Sequence, residues 1–542
     1  MPASRHVVIL AVLAVFLLLL GLGRPALTDR DEGANAGAAR EMLERGVWIT
    51  PTLDYGPRFA KPAFVYWLMV GAYRLLGVGE MAARLPSALS ATALVFVQYA
   101  FARWALGPTV ALRAAVILLT SLLFVALGRM ALTDATLVLW TTGAAFAFFR
   151  AHAGPPPRRR WYLSAWTALA LAALTKGPVG VIVPVVGIAA YLAVTGRWRQ
   201  VLREAEVGWG LLLFMVVAGP WYAAMFWIHG PDYLARARGE TLGRVFRAVT
   251  GPGGTALFYV PVLLIGMFPW SAFLPAALVG ALRGARARAA SGPAGAATVF
   301  AATWVVAGFV FFSLLQSRLP HYVLPLVPLG ALLVAVTWPG PRPVLSRRLV
   351  ATLGLVLGTA LIAARAMGPT ATRLLAPAYP ADPGATLPSA AIGLGLLVLA
   401  AGPMAAVREP GTLFLGLAAL GVAVLGGGVY GVVPAFSGDF VAPAGELAGR
   451  AAREAGPCDE VVAFGPYRPS LLFYARRPLT FIDLPDRSRL AEAAARPGRL
   501  FLVAPRAHLP LLPAAIATLP VVDTRGGYVL LRSAPSDPAC SA

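Results

Sequence analysis

The feature that most constrains this chain is a series of long apolar runs that recur from the N-terminus to about residue 432. An α-helix needs about 20 apolar residues to cross a bilayer, and inside lipid the backbone polar groups of a spanning segment must be paired. The runs therefore predict a polytopic α-helical membrane protein with 13 spans. The predicted spans are residues 7–23, 84–102, 110–127, 131–149, 162–175, 177–195, 207–228, 256–281, 297–315, 319–337, 349–364, 388–406 and 411–432.

Composition excludes a water-soluble globular enzyme. Hydrophobic residues make up 58% of the chain and charged residues 13%, whereas soluble domains carry about 25% charged residues. The formal net charge is +22. On a soluble protein this excess would suggest a nucleic-acid partner, but in a polytopic membrane protein it indicates positively charged cytoplasmic loops. We expect no nucleic acid among the partners.

The distribution of charge predicts the orientation. Residues 62–77 form a short apolar stretch that contains Arg74, and counting it as a span would move every later loop to the other side. With 62–77 as an interfacial helix and a cytoplasmic N-terminus, the cytoplasmic loops hold 17 cations and three acids, and the opposite loops hold 17 cations and 11 acids. The positive-inside rule favours this arrangement. A retained first helix is expected, a signal peptide being the alternative; in either case residue 24 onward begins outside.

The character of the chain changes after about residue 434. We expect residues 1–433 to form the membrane domain and residues 434–542 to form a small extracytoplasmic α/β domain, since the latter contain no apolar run of spanning length. Cys458 and Cys540, the two cysteines of the chain, both fall in it; an oxidising compartment permits a disulfide between them, and two unrelated thiols are the alternative. The predicted strands are Val461–Phe464, Leu500–Val503, Val521–Val522 and Tyr528–Leu531.

The outer loops carry the chemically unusual residues. In the first outer loop, 24–83, Asp31 and Glu32 precede a short helical stretch; helix capping explains one or two acids there, and a functional role is the other interpretation. The next outer turn places Arg129 and Asp134 at the head of a span. An ionisable residue near a span is a functional candidate, and Asp134 as a helix cap is the alternative.

Lysine usage singles out two further residues. Of the 46 cationic side chains, 44 are arginine, and the two lysines are Lys61 and Lys176. This bias is typical of a GC-rich genome that retains lysine only where arginine does not suffice. Lys176 adjoins a Gly-Pro break between two spans, where exposed backbone amides beside a cation suit an anion.

Two later outer segments complete the candidate set. Residues 229–255 interleave charged and apolar side chains, including Glu240 and Arg244, and predict an amphipathic helix on the membrane surface; interfacial anchoring alone is the alternative. The segment QSRLPHYVLP contains Arg318, His321 and Tyr322 at a proline-broken helix start. A lone histidine is more often structural, but this one adjoins arginine and tyrosine. Cations in a partly dry cleft bind phosphate, and neighbouring carboxylates can act as general bases.

Motifs that the chain lacks narrow the chemistry. The sequence contains no G-x-G-x-x-G, Walker, H-E-x-x-H or paired C-x-x-C motif. Nothing therefore indicates a nucleotide or a structural zinc ion, and the energy for chemistry outside the cell must arrive on a membrane-borne substrate.

The motifs occur in an order that resembles the GT-C glycosyltransferases of the aminoarabinose-transferase and protein O-mannosyltransferase type, family 39-like. The resemblance runs from about Asp29 to Pro328 and includes RDEGANAGAAREMLERGVWITP, KPAFVYWL, ARLPSALSA, GRMALTDATL, ALTKGPVG, GPWY, GETLGRVF, FPWS and SRLPHYVLPL. It implies a GT-C fold and an integral-membrane enzyme that takes a sugar from a polyprenyl-phosphate carrier on the extracytoplasmic face. The implied location is the bacterial inner membrane.

The resemblance also implies residue roles. Asp31 corresponds to the principal catalytic carboxylate, Glu32 supports it, and Asp134 matches a second acidic position at the rim of the active site. Tyr322 falls where the family often has tyrosine. The basic positions expected to hold the carrier phosphate, or to lie beside it, are Arg58, Lys61, Lys176, Arg244 and Arg318.

Two departures from the family pattern bear on metal binding. The family commonly has Glu-Lys-Pro where this chain has Ala60-Lys61-Pro62, and Thr241 stands where many relatives have histidine. These are the two side chains that would serve as ligands of a divalent ion. We therefore predict no metal and no other cofactor; Asp31 or Glu240 is the carboxylate left to attract a divalent ion.

The expected mechanism follows from these roles. Lys61, Lys176 and nearby arginines stabilise charge on the leaving phosphate, Asp31 orients or deprotonates the acceptor oxygen, and attack opposite the leaving group inverts the anomeric centre. The acceptor stays open among lipid A, a glycolipid, a cell-wall polymer and a protein hydroxyl. The alternative functions are a lipid or sugar transporter and a non-catalytic cell-envelope assembly protein.

Overall fold

A computed structural model of the protein describes residues 3–241, 243, 255–340, 342–375, 379–382 and 384–535. The first half is a succession of helices. α1 continues through a π-helical turn to Leu19, and α2 is followed by Gly46, whose φ of +66° is left-handed backbone that favours glycine. These helices are α1 (Ala3–Ala14), α2 (Asp31–Arg45), α3 (Phe64–Leu76), α4 (Glu80–Leu106), α5 (Pro108–Leu119), α6 (Leu122–Gly128), α7 (Asp134–Ala153), α8 (Arg159–Lys176), α9 (Val179–Thr195), α10 (Trp198–Glu204) and α11 (Val207–Thr241).

The second half of the membrane part is more fragmented. Short 3₁₀ segments at Ala256–Phe258, Trp270–Ala272 and Pro320–Leu326 separate its helices. The helices are α12 (Tyr259–Gly266), α13 (Leu274–Leu282), α14 (Ala285–Ala290), α15 (Pro293–Leu314), α16 (Val327–Thr337), α17 (Pro343–Ala366), α18 (Pro369–Leu375), α19 (Ala390–Leu399), α20 (Ala401–Met404), α21 (Pro410–Gly427), α22 (Val433–Phe436) and α23 (Ala442–Glu454).

Helix lengths confirm a membrane protein but do not confirm the predicted count of spans. Within the described residues, six helices are long and apolar enough to cross a membrane, or seven if the pair α5 and α6, bent by 65°, is one span. The run 110–127 is interrupted at Thr120, and the run 256–281 is interrupted before α13. Pro269 contributes to the second break because its nitrogen has no hydrogen to donate to the preceding turn.

Small residues allow the apolar helices to approach closely. A Cβ on Gly358 of α17 would lie 2.7 Å from the carbonyl oxygen of Gly395 in α19, and one on Gly187 of α9 would lie 2.1 Å from the ring of Trp304 in α15. Without water, helices in a bilayer gain stability chiefly from such close packing and from polar contacts. The glycines therefore set the positions of helix pairs in the bundle.

Two predicted helical segments of the outer loops are present in the described residues. The stretch 62–77 forms the short helix α3, which packs on α2 through a 3.1 Å hydrogen bond from the Tyr73 hydroxyl to the carbonyl of Ala36. In the loop 229–255, α11 turns at Gly230 (φ +56°) and continues as far as Thr241. Arg244 and the side chain of Glu240 lie outside the described residues.

The C-terminal region contains the expected small sheet. Its strands are β3 (Glu460–Phe464), β4 (Thr480–Ile482), β5 (Leu500–Pro505), β6 (Val521–Arg525) and β7 (Tyr528–Arg532), and their spatial order is β4-β3-β5-β7-β6. β3 runs parallel to β4 and β5, and β7 is antiparallel to β5 and β6. β4 was not among the predicted strands because it has only three residues, of which two are apolar. A hairpin in the first outer loop, β1 (Thr52–Leu53) with β2 (Gly56–Pro57), was also not expected.

Helices cover both faces of this sheet. α23 and α24 (Ser470–Ala475) pack on one face, and α25 (Arg489–Ala494) and α26 (Ala514–Ala517) pack on the other. The helical stretch from Pro410 to Glu454 is continuous through π-helical turns, so the predicted boundary at 433/434 falls inside it. Cys458 is exposed, and Cys540 lies outside the described residues.

Candidate active site

α2 positions the two adjacent carboxylates of the first outer loop. Asp31 is the first residue of the helix, and its Oδ1 accepts a 3.0 Å hydrogen bond from Nζ of Lys61. The Asp31 side chain is 40% exposed, whereas Lys61 is 9% exposed. Oδ2 of Asp31 has no hydrogen-bond partner within the part of the chain that the structure describes, so this oxygen is open to a ligand.

A second lysine–aspartate pair lies beside the first. Nζ of Lys176, at the end of α8, donates a 2.7 Å hydrogen bond to Oδ1 of Asp134, the first residue of α7. The same Nζ lies 5.5 Å from the centroid of the Tyr322 ring, close enough for a cation–π interaction. The two pairs bring both lysines of the chain into one cluster at the ends of three helices.

Neighbouring groups of this cluster determine the pKa of Asp31. The Lys61 ammonium, through its charge and its hydrogen bond, holds the pKa of the Asp31 carboxyl well below its ordinary value, although burial acts in the opposite direction. The charge of Lys176 lowers the same pKa further. Asp31 is therefore an ionised carboxylate at neutral pH. The structure thus groups Asp31, Lys61 and Lys176 with His321 from the 3₁₀ segment before α16.

Glu32 has surroundings unlike those of Asp31. It is 1% exposed, and its Oε1 accepts hydrogen bonds from Nε of Arg84 at 2.7 Å and from the backbone N–H of Ala131 at 2.8 Å. Oε2 accepts from Arg84 Nη2 and from the N–H and hydroxyl of Thr28. Burial raises the pKa of Glu32, but Arg84 and these backbone donors offset it, so the net shift of this pKa is downward.

Arg84 is the site residue that the sequence reasoning did not nominate. Its guanidinium, 4% exposed, also donates to the carbonyls of Leu22, Pro25 and Ala26. The signal available in the sequence is an arginine at the first position of a predicted span, in the segment ARLPSALSA. Ionisable residues at such positions are costly unless they are paired.

Arg58 reaches the same region through a chain of hydrogen bonds. Its Nε donates to the Tyr66 hydroxyl at 3.3 Å, the hydroxyl donates to Oδ1 of Asn35 at 3.4 Å, and Nδ2 of Asn35 donates to the carbonyl of Ala131 at 3.1 Å. Asp31 lies within electrostatic range of Arg58. Arg58 therefore borders the cluster on the side of α3.

Other predicted candidates take different positions. Nη2 of Arg318 donates to the carbonyl of Ser313 at 3.0 Å, which holds it beside the segment that carries His321. Arg129 lies apart from the cluster, and its Nη1 donates to the carbonyl of Leu17 at 3.1 Å. No group of three or more His, Cys, Asp or Glu side chains arranged to hold a metal ion occurs within the described residues.

The C-terminal region holds the start of α2 from outside the membrane bundle. Asp29, two residues before Asp31, accepts from Arg468 Nη1 at 3.1 Å and from the Ser470 N–H at 3.0 Å. Further along α2, the fully buried Arg40 donates to the carbonyl of Leu472 at 2.8 Å. The helix that carries Asp31 is thus hydrogen-bonded to the loop before α24 and to α24 itself.

Backbone contact at Gly33 tightens this junction. A Cβ on Gly33 would lie 2.4 Å from Cα and 2.6 Å from N of Ser470. Because the obstructing atoms are backbone, no rotation of a side chain can relieve the contact. Glycine is thus required where α2 meets the C-terminal region.

Comparisons with known proteins show which proteins this chain is similar to. Residues 8–234 match the family model of dolichyl-phosphate-mannose-protein mannosyltransferases. The chain is 31% identical over 381 residues to the undecaprenyl phosphate-alpha-4-amino-4-deoxy-L-arabinose arabinosyl transferase of Pectobacterium carotovorum, and the match covers 66% of this chain and 64% of that protein. The transferase of the same description from Edwardsiella ictaluri is 30% identical over 331 residues, which cover 60% of this chain and 58% of the relative. The matched part spans less than two thirds of the length of these relatives.

Solved structures show the fold. ArnT from Cupriavidus metallidurans bound to undecaprenyl phosphate has a TM-score of 0.76 to this chain at 22% identity, and the match covers 98% of both chains. The oligosaccharyltransferase AglB from Archaeoglobus fulgidus, in complex with an inhibitory peptide and a dolichol-phosphate, has a TM-score of 0.50 at 13% identity and covers 93% of this chain and 69% of that one. The chain therefore has the GT-C fold of ArnT, and the resemblance carried by its motifs is confirmed.

Replacing Gly33 by alanine tests the junction between α2 and the C-terminal region. The added methyl group meets the Ser470 backbone, so we expect α2 to shift and the relation of Asp31 to Lys61 to change. Limited proteolysis in detergent should cleave the C-terminal region of Gly33→Ala faster than that of the wild type. Gly71→Ala, whose Cβ meets no atom within 4 Å, is the control; equal cleavage of all three proteins would contradict the account.

Replacing Glu32 by glutamine tests the buried ion pair. The change is isosteric but leaves the Arg84 guanidinium buried without its counter-charge, which typically costs about 3–5 kcal/mol. We expect thermal denaturation in detergent micelles to occur at a clearly lower temperature. Glu446→Gln is the control, because the exposed pair of Glu446 with Arg525 should contribute about 1 kcal/mol or less. Equal Tm values for the two variants would refute the distinction.

Proposed function

We propose that this protein is an integral-membrane glycosyltransferase that moves a sugar from a polyprenyl-phosphate carrier to an acceptor on the extracytoplasmic face. The observation that carries the proposal is the pair of ion pairs, Asp31 with Lys61 at 3.0 Å and Asp134 with Lys176 at 2.7 Å, grouped with His321. The arrangement provides cations for a phosphate and an accessible carboxylate for an acceptor. The likeness to undecaprenyl phosphate-dependent arabinosyl transferases supports the same reaction class.

Lys61 and Lys176 are proposed to hold the carrier phosphate. In the free protein each ammonium is neutralised by a carboxylate, so the cluster exists without an uncompensated buried charge. A phosphate that enters between the lysines adds charge-assisted hydrogen bonds to the donors that the carboxylates leave open. The ammonium groups then stabilise the negative charge that grows on the phosphate as the glycosidic bond breaks. Arg58, Arg244, Arg318 and Tyr322 are proposed to border this phosphate site.

Asp31 is proposed to orient the acceptor and to accept its proton. The open Oδ2 can receive a hydrogen bond from an acceptor hydroxyl while Oδ1 stays bound to Lys61. The pKa of Asp31 in the free protein is low, which makes it a weak base. A bound phosphate adds negative charge beside Lys61, and this raises the pKa of Asp31. The Asp31 carboxylate therefore becomes a better base only when the donor is present. The acceptor oxygen attacks the anomeric carbon opposite the leaving phosphate, which inverts the configuration of that carbon.

The other two acids are proposed to act through their partners. Glu32, with both oxygens occupied, fixes the start of α2 against Arg84, and Asp134, with 4% of its side chain exposed, fixes the Lys176 ammonium. Both are positioning residues in this scheme.

The proposed topology places the site outside the cytoplasm of a bacterial cell. We propose 13 spans in the inner membrane with a cytoplasmic N-terminus, residues 1–433 as the membrane domain and residues 434–542 as an extracytoplasmic α/β domain. The excess of cations over acids in the predicted cytoplasmic loops supports the orientation. The hydrogen bonds from Arg468 and Ser470 to Asp29 support a C-terminal domain on the same side as Asp31.

Asp31→Asn tests the reaction directly. Removing the base should lower sugar transfer by about 10²–10⁴-fold, while binding of undecaprenyl phosphate is retained because the lysines remain. The assay follows release of the carrier phosphate from a labelled undecaprenyl-phosphate sugar by purified protein in the presence of a cell-envelope extract. Asp54→Asn, a change of the same kind in the same outer loop, is the control. Wild-type turnover in Asp31→Asn would refute the assignment. Movement of the labelled sugar without release of the carrier phosphate, in the wild type and the variants alike, would indicate a transporter.

Lys176→Arg tests whether lysine geometry matters. The substitution keeps the charge, but a planar guanidinium cannot replace a compact ammonium between Asp134 and the Tyr322 ring. We expect kcat/KM for the carrier-linked sugar to fall by about tenfold or more, equivalent to about 1.4 kcal/mol. Arg283→Lys, on a predicted cytoplasmic loop, should leave turnover unchanged. Full activity of Lys176→Arg would show that the rarity of lysine in this chain has no functional reason at this position.

A further inference from the structure

A partly open apolar cavity has Glu32 and Arg84 in its wall. Its volume is about 560 Å³, within the range of pockets that enclose small ligands. It extends between the end of α1, α6 and α12 on one side and α17, α19 and α21 on the other. Leucine, valine and alanine side chains such as Leu122, Leu357 and Val424 form most of its wall.

Arg129 is an uncompensated cation in this wall. Among the described residues, its guanidinium donates one hydrogen bond, to the carbonyl of Leu17, and no carboxylate lies within ion-pair distance of it. The other charged residues of the wall, Arg84 and Glu32, neutralise each other. A guanidinium placed at an apolar surface without a counter-ion is unfavourable, so the cavity is complementary to a molecule with an apolar chain and an anionic group.

We propose that the cavity binds an anionic phospholipid of the surrounding membrane, with an acyl chain between the helices and its phosphate at Arg129. The reacting groups of the proposed transferase are absent from the lining: Asp31, Lys61 and Lys176 do not contribute to it. A lipid in this cavity therefore does not contact the Asp31 carboxylate. The cavity is therefore distinct from the proposed carrier site.

The mouth of the cavity suits a polar headgroup. Ala26 and Ser437, joined by a 2.7 Å hydrogen bond, line both the apolar cavity and a polar cleft of about 680 Å³. Arg129 donates a hydrogen bond to the carbonyl of Leu17, in the π-helical turn that follows α1. Arg24, which follows this turn in the chain, lines the polar cleft. The charged residues that line the cleft are Arg24, Glu80, Glu446, Arg450, Arg453, Asp523 and Arg525.

Native mass spectrometry of the full chain in detergent tests the proposal. Delipidated wild-type protein should bind one phosphatidylglycerol at least about tenfold more tightly than phosphatidylcholine of the same chain length, because only the former carries net charge for Arg129. Arg129→Gln should abolish this preference. Equal affinities of the wild type for the two lipids, or an unchanged preference in Arg129→Gln, would overturn the proposal.

A cavity-filling variant separates this site from general lipid adhesion. Gly428 lines the cavity, has helical backbone, and a Cβ there would meet no atom within 4 Å. Gly428→Leu should therefore lose the tightly bound phosphatidylglycerol, whereas Gly393→Leu, which also enters open space but lies outside the lining, should retain it. Retention by Gly428→Leu would overturn the proposal.

A competition arm identifies the lipid class. Adding equimolar undecaprenyl phosphate to the phosphatidylglycerol complex should produce a protein with both lipids bound, since the two sites are separate. Displacement of phosphatidylglycerol would assign the cavity to the carrier and refute a phospholipid site.

Discussion

The buried pair of Glu32 with Arg84 is the interaction on which the rest of the site depends. Through it, the start of α2 is bound to α4, and the same guanidinium gathers three carbonyls from the segment between α1 and α2. The N–H of Ala131 brings in the turn before α7. A pair that is fully desolvated persists only when every donor and acceptor is matched, so these elements have one arrangement. Because Asp31 is adjacent to Glu32 in the sequence, the same arrangement fixes the position of Asp31.

The C-terminal region completes the positioning from the other side. Asp29 and Gly33 bracket Asp31 in sequence, and both meet the segment 468–470. α2 is thus held at its start by the membrane bundle through Glu32 and by the C-terminal region through Asp29. A carboxylate fixed between two rigid bodies keeps its geometry without substrate, which favours preorganised catalysis.

Features of this chain that follow from periodicity and composition could be predicted from its sequence. Contacts between residues that are distant in the sequence could not. The apolar runs indicated helices, and the strands β3, β5, β6 and β7 were recognised from short apolar segments. The rarity of lysine singled out Lys61 and Lys176, but their partners Asp31 and Asp134 are 30 and 42 residues away, and sequence spacing does not determine such contacts. Arg84 was missed because its role arises only when three separate segments converge. The interruption at Thr120 was missed because the chain is strongly apolar on both sides of it.

The contrast between the two adjacent carboxylates indicates how this fold separates structure from chemistry. Glu32 has five hydrogen bonds and almost no exposure, so it cannot gain a ligand without losing a donor. Asp31 has one partner and an open oxygen, and its charge is compensated by a lysine that a phosphate can also bind. Consecutive residues at a helix start point in different directions. The first turn of α2 therefore directs Glu32 towards the helix bundle and Asp31 towards the proposed substrate site. Exchanging the environments of the two acids would require α2 to begin at a different residue.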